Sequence, residues 1–551
     1  TTIDNGNPWA SVFYNLTIDT GATVSVATAG TTNGFSVSNI FTINGQLTMT
    51  GKTVTVPVSY ATSTLTIGPV GILTGTGGNF FRYVQDGNTS LTNNGTISVS
   101  TFTFVPITGS STVEIPATSF GGNLEILLTG SATANQTVVL GAGTLSVTGS
   151  LTVDSNAAGY AAILDNTVYN SAINCATLYI GSGTNTRYGQ LKLGSGTMTV
   201  SGSVTIRTSD LGSKNILNGG SGTINVGGNW TNNDTFTAGT STVTFNGTAS
   251  QQIITSTSTV NNTFYKLTLN NGTNTNTLTL NPTTGTPTLD VNGLLTITKG
   301  TLSPGAYNTT IAGGLSFSDT TNGIFTRGAG TLTFDDTGTW TDNRTTKADL
   351  GTITIDGPMP TTLTLGSSVL VTNITIISTN NTLNLGTGSY TLELTGTGTP
   401  LSASSTSFEK GTGSTVLYTG TTTATNIATV AYNNLTLTPT GATTYNLAGD
   451  LTTTNAMTGN LTINANATLD VRPSTTDYSI TCVDMTIAGT LDATSAASTF
   501  TVSGNWDSSA GTFTAGSSTV TFNKNGSQAI SGTNIFNILI ISTRDNGTVS
   551  F

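Results

Sequence analysis

The chain has 551 residues and no histidine, with only 7% charged residues against 35% hydrophobic ones and a formal net charge of −10. The lack of His removes Ser-His-Asp and Cys-His catalysis and His-ligated metals, and 15 Lys and Arg scattered singly cannot neutralise a nucleic-acid backbone or hold an anionic membrane surface. Disordered chains combine few apolar residues with high net charge, whereas here apolar residues alternate with Thr, as in Thr53-Val54-Thr55-Val56, the period of a half-buried strand.

In chain order, the first predicted strand is Phe13-Tyr14-Asn15-Leu16-Thr17-Ile18, followed by Gly21-Ala22-Thr23-Val24. A start at Thr1 without Met reads as removal of an upstream segment, most commonly a secretory leader. No stretch reaches the roughly 20 apolar residues of a membrane-spanning helix. Further strand signals follow at short intervals, separated by turns such as Asn94-Gly95, Asn246-Gly247, Asn271-Gly272 and Asp545-Asn546-Gly547. Sustained helical periodicity is missing, so an all-β chain is predicted.

A compound motif recurs along this series: a Ser-Thr-Val strand, a loop, then an aromatic residue entering a second apolar strand. Its copies are Ser111-Thr112-Val113-Glu114-Ile115 with Phe120 and Asn123-Leu124-Glu125-Ile126; Ser241-Thr242-Val243-Thr244-Phe245 with Phe264-Tyr265-Lys266-Leu267; Thr331-Leu332-Thr333-Phe334 with Ile353-Thr354-Ile355; Ser414-Thr415-Val416-Leu417-Tyr418 with Tyr432-Asn433-Asn434-Leu435; and Ser518-Thr519-Val520-Thr521-Phe522 with Phe536-Asn537-Ile538-Leu539. The second and last copies share flanks, Gly228-Asn229-Trp230 to Thr235-Phe236-Thr237-Ala238-Gly239 and Gly504-Asn505-Trp506 to Thr512-Phe513-Thr514-Ala515-Gly516. With no linker in between, residues 1–551 read as one continuous β-repeat array with motifs near 111–126, 241–269, 331–355, 414–437 and 518–541.

Two architectures fit, a parallel β-helix (β-solenoid) and tandem β-sandwich domains, whose size the motif spacing approaches. Shorter echoes favour the solenoid: Gly143-Thr144-Leu145-Ser146-Val147 precedes Leu151-Thr152-Val153, and Gly196-Thr197-Met198-Thr199-Val200 precedes Val204-Thr205-Ile206, each across a small-residue corner. Such corners are expected where a coil turns between faces.

Gly-Asn-Trp followed by Thr-Phe-Thr-Ala-Gly, Ser-Thr-Val-Thr-Phe-Asn and the aromatic-Asn-Leu-Thr-Ile element resembles the secreted, repeat-rich β-strand proteins of bacterial and archaeal surfaces. The resemblance implies filament, sheath, surface-layer or adhesin subunits at the cell surface or outside it, and carries no catalytic residue. Both ends enter the repeat at the same phase, so Phe13, Leu16 and Ile18 and, at the other end, Phe536, Leu539 and Ile541 are the candidate assembly edges.

Other chemistry is sparse. Asp335-Asp336, with Asp342 and Arg344, is the best carboxylate group for an acid-base role or for calcium, the only cofactor the sequence leaves open, but Asp335-Asp336-Thr337-Gly338 also reads as a turn. Trp230, Trp340 and Trp506 could stack on sugars, although their Gly-flanked corners suggest packing; Trp9 is too near the terminus to assign. Cys175 and Cys482 read as buried apolar residues rather than a disulfide. Asn-X-Ser/Thr sequons at Asn15, Asn88, Asn94, Asn135, Asn229, Asn246, Asn308, Asn373, Asn434, Asn460 and Asn546 are candidate glycosylation sites. The expected protein is therefore non-enzymatic and structural, self-assembling through its β edges, with other copies of itself and glycans as partners. A glycan-binding adhesin and a polysaccharide-degrading β-helix enzyme are the rivals.

Overall fold

The computed structural model describes residues 2–3, 11–26, 33–51, 53–56, 64–76, 80–85, 90–106, 113–129, 132–181, 188–209, 214–255, 262–358, 360–421, 424–542 and 547–551. The chain is nearly all β, 53% strand against 1% helix, and forms a parallel β-solenoid of about 20 turns. It divides into two compact units, Thr1–Leu289 and Asp290–Phe551.

The alternation seen in the sequence sets the packing. In Thr242–Phe245 and Thr519–Phe522 the Val and Phe are buried while each Thr is half-exposed, because successive side chains on a strand point to opposite faces. Parallel pairing in register then places like on like: Ile224 lies beside Val243 and Val243 beside Leu267 in the first unit, and Phe500 beside Val520 and Val520 beside Leu539 in the second. Inward side chains thus form apolar columns, including a run of phenylalanines in the first unit with ring centroids 6.3 Å (Phe41–Phe81), 5.3 Å (Phe81–Phe102) and 5.1 Å (Phe102–Phe120) apart. Outward Thr columns keep β-branched residues on the pleated wall with the hydroxyl toward water.

In the second unit the late coils visit three walls in a fixed order. Trp506–Asp507 lies on one wall, Thr512–Thr514 on the next and Thr519–Phe522 on the third. The flanked repeat is therefore one whole coil, written as an inward aromatic for each wall. Trp506 meets Phe513 at 5.0 Å and Phe536, which enters the following coil, at 5.7 Å, while Phe513–Phe536 and Phe522–Phe536 are 5.9 and 6.4 Å apart. The first-unit copy repeats this cluster, with Trp230–Phe236 at 4.8 Å, Trp230–Phe264 at 5.6 Å, Phe236–Phe264 at 5.8 Å and Phe245–Phe264 at 6.5 Å. The Gly ending Thr-Ala-Gly is required by its backbone: Gly239 and Gly516 have φ of +58° and +55°, and a Cβ on Gly239 would lie 2.3 Å from the Gly220 carbonyl of the coil below.

The compound motif is one coil step in four of its five copies, since Val243, Leu332, Val416 and Val520 pair in register with Leu267, Ile353, Leu435 and Leu539. The first copy differs. Val113–Ile115 pairs with Gln136–Leu140 on one wall, and Asn123–Leu128 pairs with Thr101–Pro106 and Thr144–Ser155 on another; Ser111 and Thr112 lie outside the described residues. The two short echoes also part company. Thr197–Val200 and Val204–Ile206 are separate strands, whereas Thr144–Ser155 runs through its corner as one strand with a register shift between Val147 and Ser150.

Candidate assembly surfaces

The corners between walls carry ladders of side-chain-to-backbone hydrogen bonds. At one corner of the second unit, Asn434 Oδ1 accepts from the Asn460 N–H (2.9 Å), Asn460 Oδ1 from Asp484 N–H (3.1 Å), Asp484 Oδ1 from Asn505 N–H (2.7 Å) and Asn505 Oδ1 from Ala529 N–H (3.0 Å). Each side chain satisfies a backbone donor that the turn leaves without a strand partner. The same device recurs where Asn229 Oδ1 accepts from Gln252 N–H (2.9 Å), Asn135 Oδ1 from Ala161 N–H (2.8 Å), Asn308 Oδ1 from Thr331 N–H (2.9 Å) and Asn15 Oδ1 from Ile40 N–H (3.1 Å).

Six sequon asparagines, Asn15, Asn135, Asn229, Asn308, Asn434 and Asn460, are thus coil-to-coil connectors. Asn94 and Asn246 are exposed at Asn-Gly turns, and half-buried Asn373 donates to Thr352 Oγ1 at 3.2 Å. Asn88 and Asn546 lie outside the described residues.

At the first edge, Ser11–Ile18 pairs with Asn33–Ile43. Phe13 and Leu16 are partly exposed, Ile18 is buried, and Phe13 meets Phe35 at 5.7 Å. At the other, Ile538–Ile541 pairs with Thr519–Phe522, and its inward members Leu539 and Ile541 remain partly exposed and 48% exposed, respectively. Phe536 belongs to the aromatic cluster around Trp506.

The carboxylate group predicted from sequence is not brought together. Asp335 and Asp336 sit in the bend after Leu332–Phe334, and burial together with Asp290 and Asp336 raises the Asp335 carboxyl above its ordinary value. Asp342, on a different wall, is engaged elsewhere. Its carboxylate accepts from Arg344 Nε (3.0 Å) and Nη2 (2.8 Å) and from the Ala348 N–H (2.9 Å), while Arg344 Nη1 donates to the Gly323 carbonyl (2.6 Å) and the guanidinium lies 4.0 Å from the centre of the Phe317 ring. Burial opposes the Asp342 charge, but these donors outweigh it and hold the carboxyl below the usual range. Among the described residues no three His, Cys, Asp or Glu side chains are placed to hold a metal ion.

Trp230, Trp340 and Trp506 are all completely buried, which places them in the core as coil packing rather than on a sugar-binding face; Trp9 lies outside the described residues. Cys175 and Cys482 are buried and free, and desolvation pushes both thiols up to about 12.

Sequence reasoning missed a latch common to both flanked copies. Gln251 Nε2 donates to the carbonyls of Val226 and Gly228 and its Oε1 accepts from Gly247 N–H (3.1 Å); Gln528 does the same with Val502, Gly504 and Lys524. The signal was available, since each Gln follows the last Phe of its Ser-Thr-Val-Thr-Phe strand at the same spacing. Also missed were three buried tyrosines in which Tyr432 Oη donates to the Ala428 carbonyl (2.8 Å), Tyr445 Oη to the Gly420 carbonyl (3.1 Å), and Tyr418 and Tyr432 share a hydroxyl contact of 3.3 Å. Compared with family models, curated proteins and solved structures, the chain matches none.

Proposed function

We propose that the protein is a structural component of an extracellular or cell-surface assembly, a filament, sheath or surface layer, whose copies join end to end through β edges. The observation that supports this reading is the in-register parallel stacking itself: a rung such as Thr519–Phe522 pairs with Thr499–Val502 on one edge and with Ile538–Ile541 on the other, so that apolar residues meet apolar ones from coil to coil. A parallel rung is itself the template for the next, with backbone donors and acceptors and an apolar column ready to continue. On this reading, Phe13, Leu16 and Ile18 of a second copy supply the same Phe-x-x-Leu-x-Ile spacing as Phe536, Leu539 and Ile541. A low charge content suits such stacking, because few like charges are brought into register, Asp470 beside Asp492 being one such pair.

Electron microscopy of the purified native protein over a range of concentrations tests this. The expected result is regular filaments or sheets built of one subunit; separate rods at every concentration sink polymerisation.

A further inference from the structure

The corner after Thr242–Phe245 carries a reactive pair, Asn246-Gly247. Asn246 is exposed at the turn while Gly247 is buried, and a Cβ at 247 would lie 2.3 Å from the Gly227 carbonyl of the coil below, so only glycine fits there. Asn before Gly is also the pair in which the backbone nitrogen most easily attacks the preceding side chain, because no Cβ shields it. In that reaction the Gly247 nitrogen gives its proton to water and bonds to Asn246 Cγ, the Cγ–Nδ2 bond breaks and ammonia leaves. Water then opens the succinimide ring to Asp or isoAsp. Nothing is oxidised or reduced, and the net change is amide plus water to carboxylate plus ammonium.

Gln251 stands across the first step. It is 1% exposed, and its Nε2 donates to the carbonyls of Val226 and Gly228 in the coil below. With its orientation set in this way, its Oε1 accepts the Gly247 N–H at 3.1 Å. We infer that Asn246 is a site of spontaneous deamidation whose rate Gln251 sets, by holding both the proton that must leave and the peptide plane that must turn toward the Asn246 side chain. This inference is independent of the end-to-end reading above.

Other Asn-Gly pairs are held by different acceptors. The Gly95 N–H goes to Asn93 Oδ1 (3.1 Å), the Gly219 N–H to the Thr237 carbonyl (2.9 Å) and the Gly45 N–H to the Ile18 carbonyl (3.0 Å). In the second flanked copy the corresponding pair is Asn523-Lys524, and Gln528 Oε1 accepts the Lys524 N–H at 3.0 Å. A side chain at 524 already slows ring closure there, so the buried Gln matters most in the first copy. At stake is the corner itself: isoAsp would lengthen the main chain by one carbon where the Asn246 N–H meets the Val226 carbonyl (3.0 Å).

The test is to age the wild type and Gln251→Ala at neutral pH and follow conversion at Asn246 by peptide mass spectrometry. Gln251→Ala should deamidate there about 2- to 12-fold faster, the range that loss of one neutral hydrogen bond allows. Asn229→Ala removes the neighbouring bond from Gln252 N–H to Asn229 Oδ1 (2.9 Å) but keeps the Gln251 contact, so its Asn246 should age as in the wild type. Asn94, on another coil, should age alike in all three proteins. An unchanged Asn246 rate in Gln251→Ala overturns the inference. Equal acceleration in Asn229→Ala, or at Asn94, overturns it too, since protection then belongs to the stiffness of the fold and not to this hydrogen bond. Should Gln251→Ala not fold, the wild type decides: Asn246 should age more slowly in the folded chain than in urea and the Gly247 amide should resist hydrogen exchange, whereas equal rates or an unprotected amide overturn the inference.

Discussion

Asn434 separates two accounts of the sequons, as glycan acceptors or as parts of the fold. Its Oδ1 accepts the Asn460 N–H at 2.9 Å, and Asn460 passes the same bond to Asp484. Asn434→Ala removes the acceptor and leaves that amide to water, a loss of about 0.5–1.5 kcal/mol for a neutral hydrogen bond. Asn434→Asp keeps the oxygen, as Asp484 shows at the equivalent place two coils on, and strengthens it by charge. Thr436→Val leaves Asn434 untouched while destroying the sequon. Long arrays depart from two-state unfolding, so the assay is local: hydrogen exchange at the Asn460 amide, read by mass spectrometry. Asn434→Ala should speed exchange by roughly 2- to 12-fold, the range set by that free energy at 1.4 kcal/mol per tenfold, while Asn434→Asp and Thr436→Val stay at or below the wild-type rate. Equal exchange in all three variants would refute the connector role.

Other consequences follow from single groups. Trp340 Nε1 is buried without a partner among the described residues, whereas Trp506 Nε1 donates to Asn534 Oδ1 at 2.9 Å; Trp340→Phe should therefore be the milder substitution by about 1–3 kcal/mol, visible in local exchange, and equal effects would contradict the assignment. Arg344→Ala strands the Asp342 carboxylate and should cost about 3–5 kcal/mol locally, with Asp342→Ala/Arg344→Ala recovering part of it. Because the folded Asp342 carboxyl is held below its ordinary value, the pair's contribution is fully present above about pH 3.9, the unfolded value, and is lost as pH falls through the lower folded one; acid exchange in residues 342–348 reads this out. Burial raises the Tyr418 hydroxyl to about 12, so stability held below about pH 10, where unfolded Tyr ionises, should drain as pH rises toward 12. Loss of native spectra beginning well below pH 10 would point to another group.

The walls were legible because their signal is local. Thr-Val-Thr-Phe determines which side chains turn inward whatever lies beside it. Wall membership was not. Val113 and Leu124 fit the compound motif as well as Val416 and Leu435 do, yet only the latter are neighbours, because corners absorb or release residues without altering the strands they join. Successive rungs at Met198, Ile224 and Val243 are separated by 26 and then 19 residues, so a fixed period finds only part of the order. Gln251 and Gln528 passed unnoticed because a buried amide leaves no mark in an alternation pattern; its partners are backbone carbonyls one coil away.

The sequons follow from the same geometry. A rung leaving a corner needs a short side chain that can accept the N–H of the next coil, then an inward apolar residue, then an outward one suited to a pleated wall. Asn, a large apolar residue and Thr meet those needs, as in Asn229-Trp230-Thr231, Asn434-Leu435-Thr436 and Asn460-Leu461-Thr462. In each of the three the middle residue is buried and the Asn oxygen receives a backbone donor from the following coil. An Asn-X-Thr triplet is then what this fold writes at a corner, with or without a sugar. Asp484-Met485-Thr486 makes the point from within the chain: it holds the same place in the ladder, with Met485 buried and Asp484 accepting the Asn505 N–H, yet it is no sequon at all.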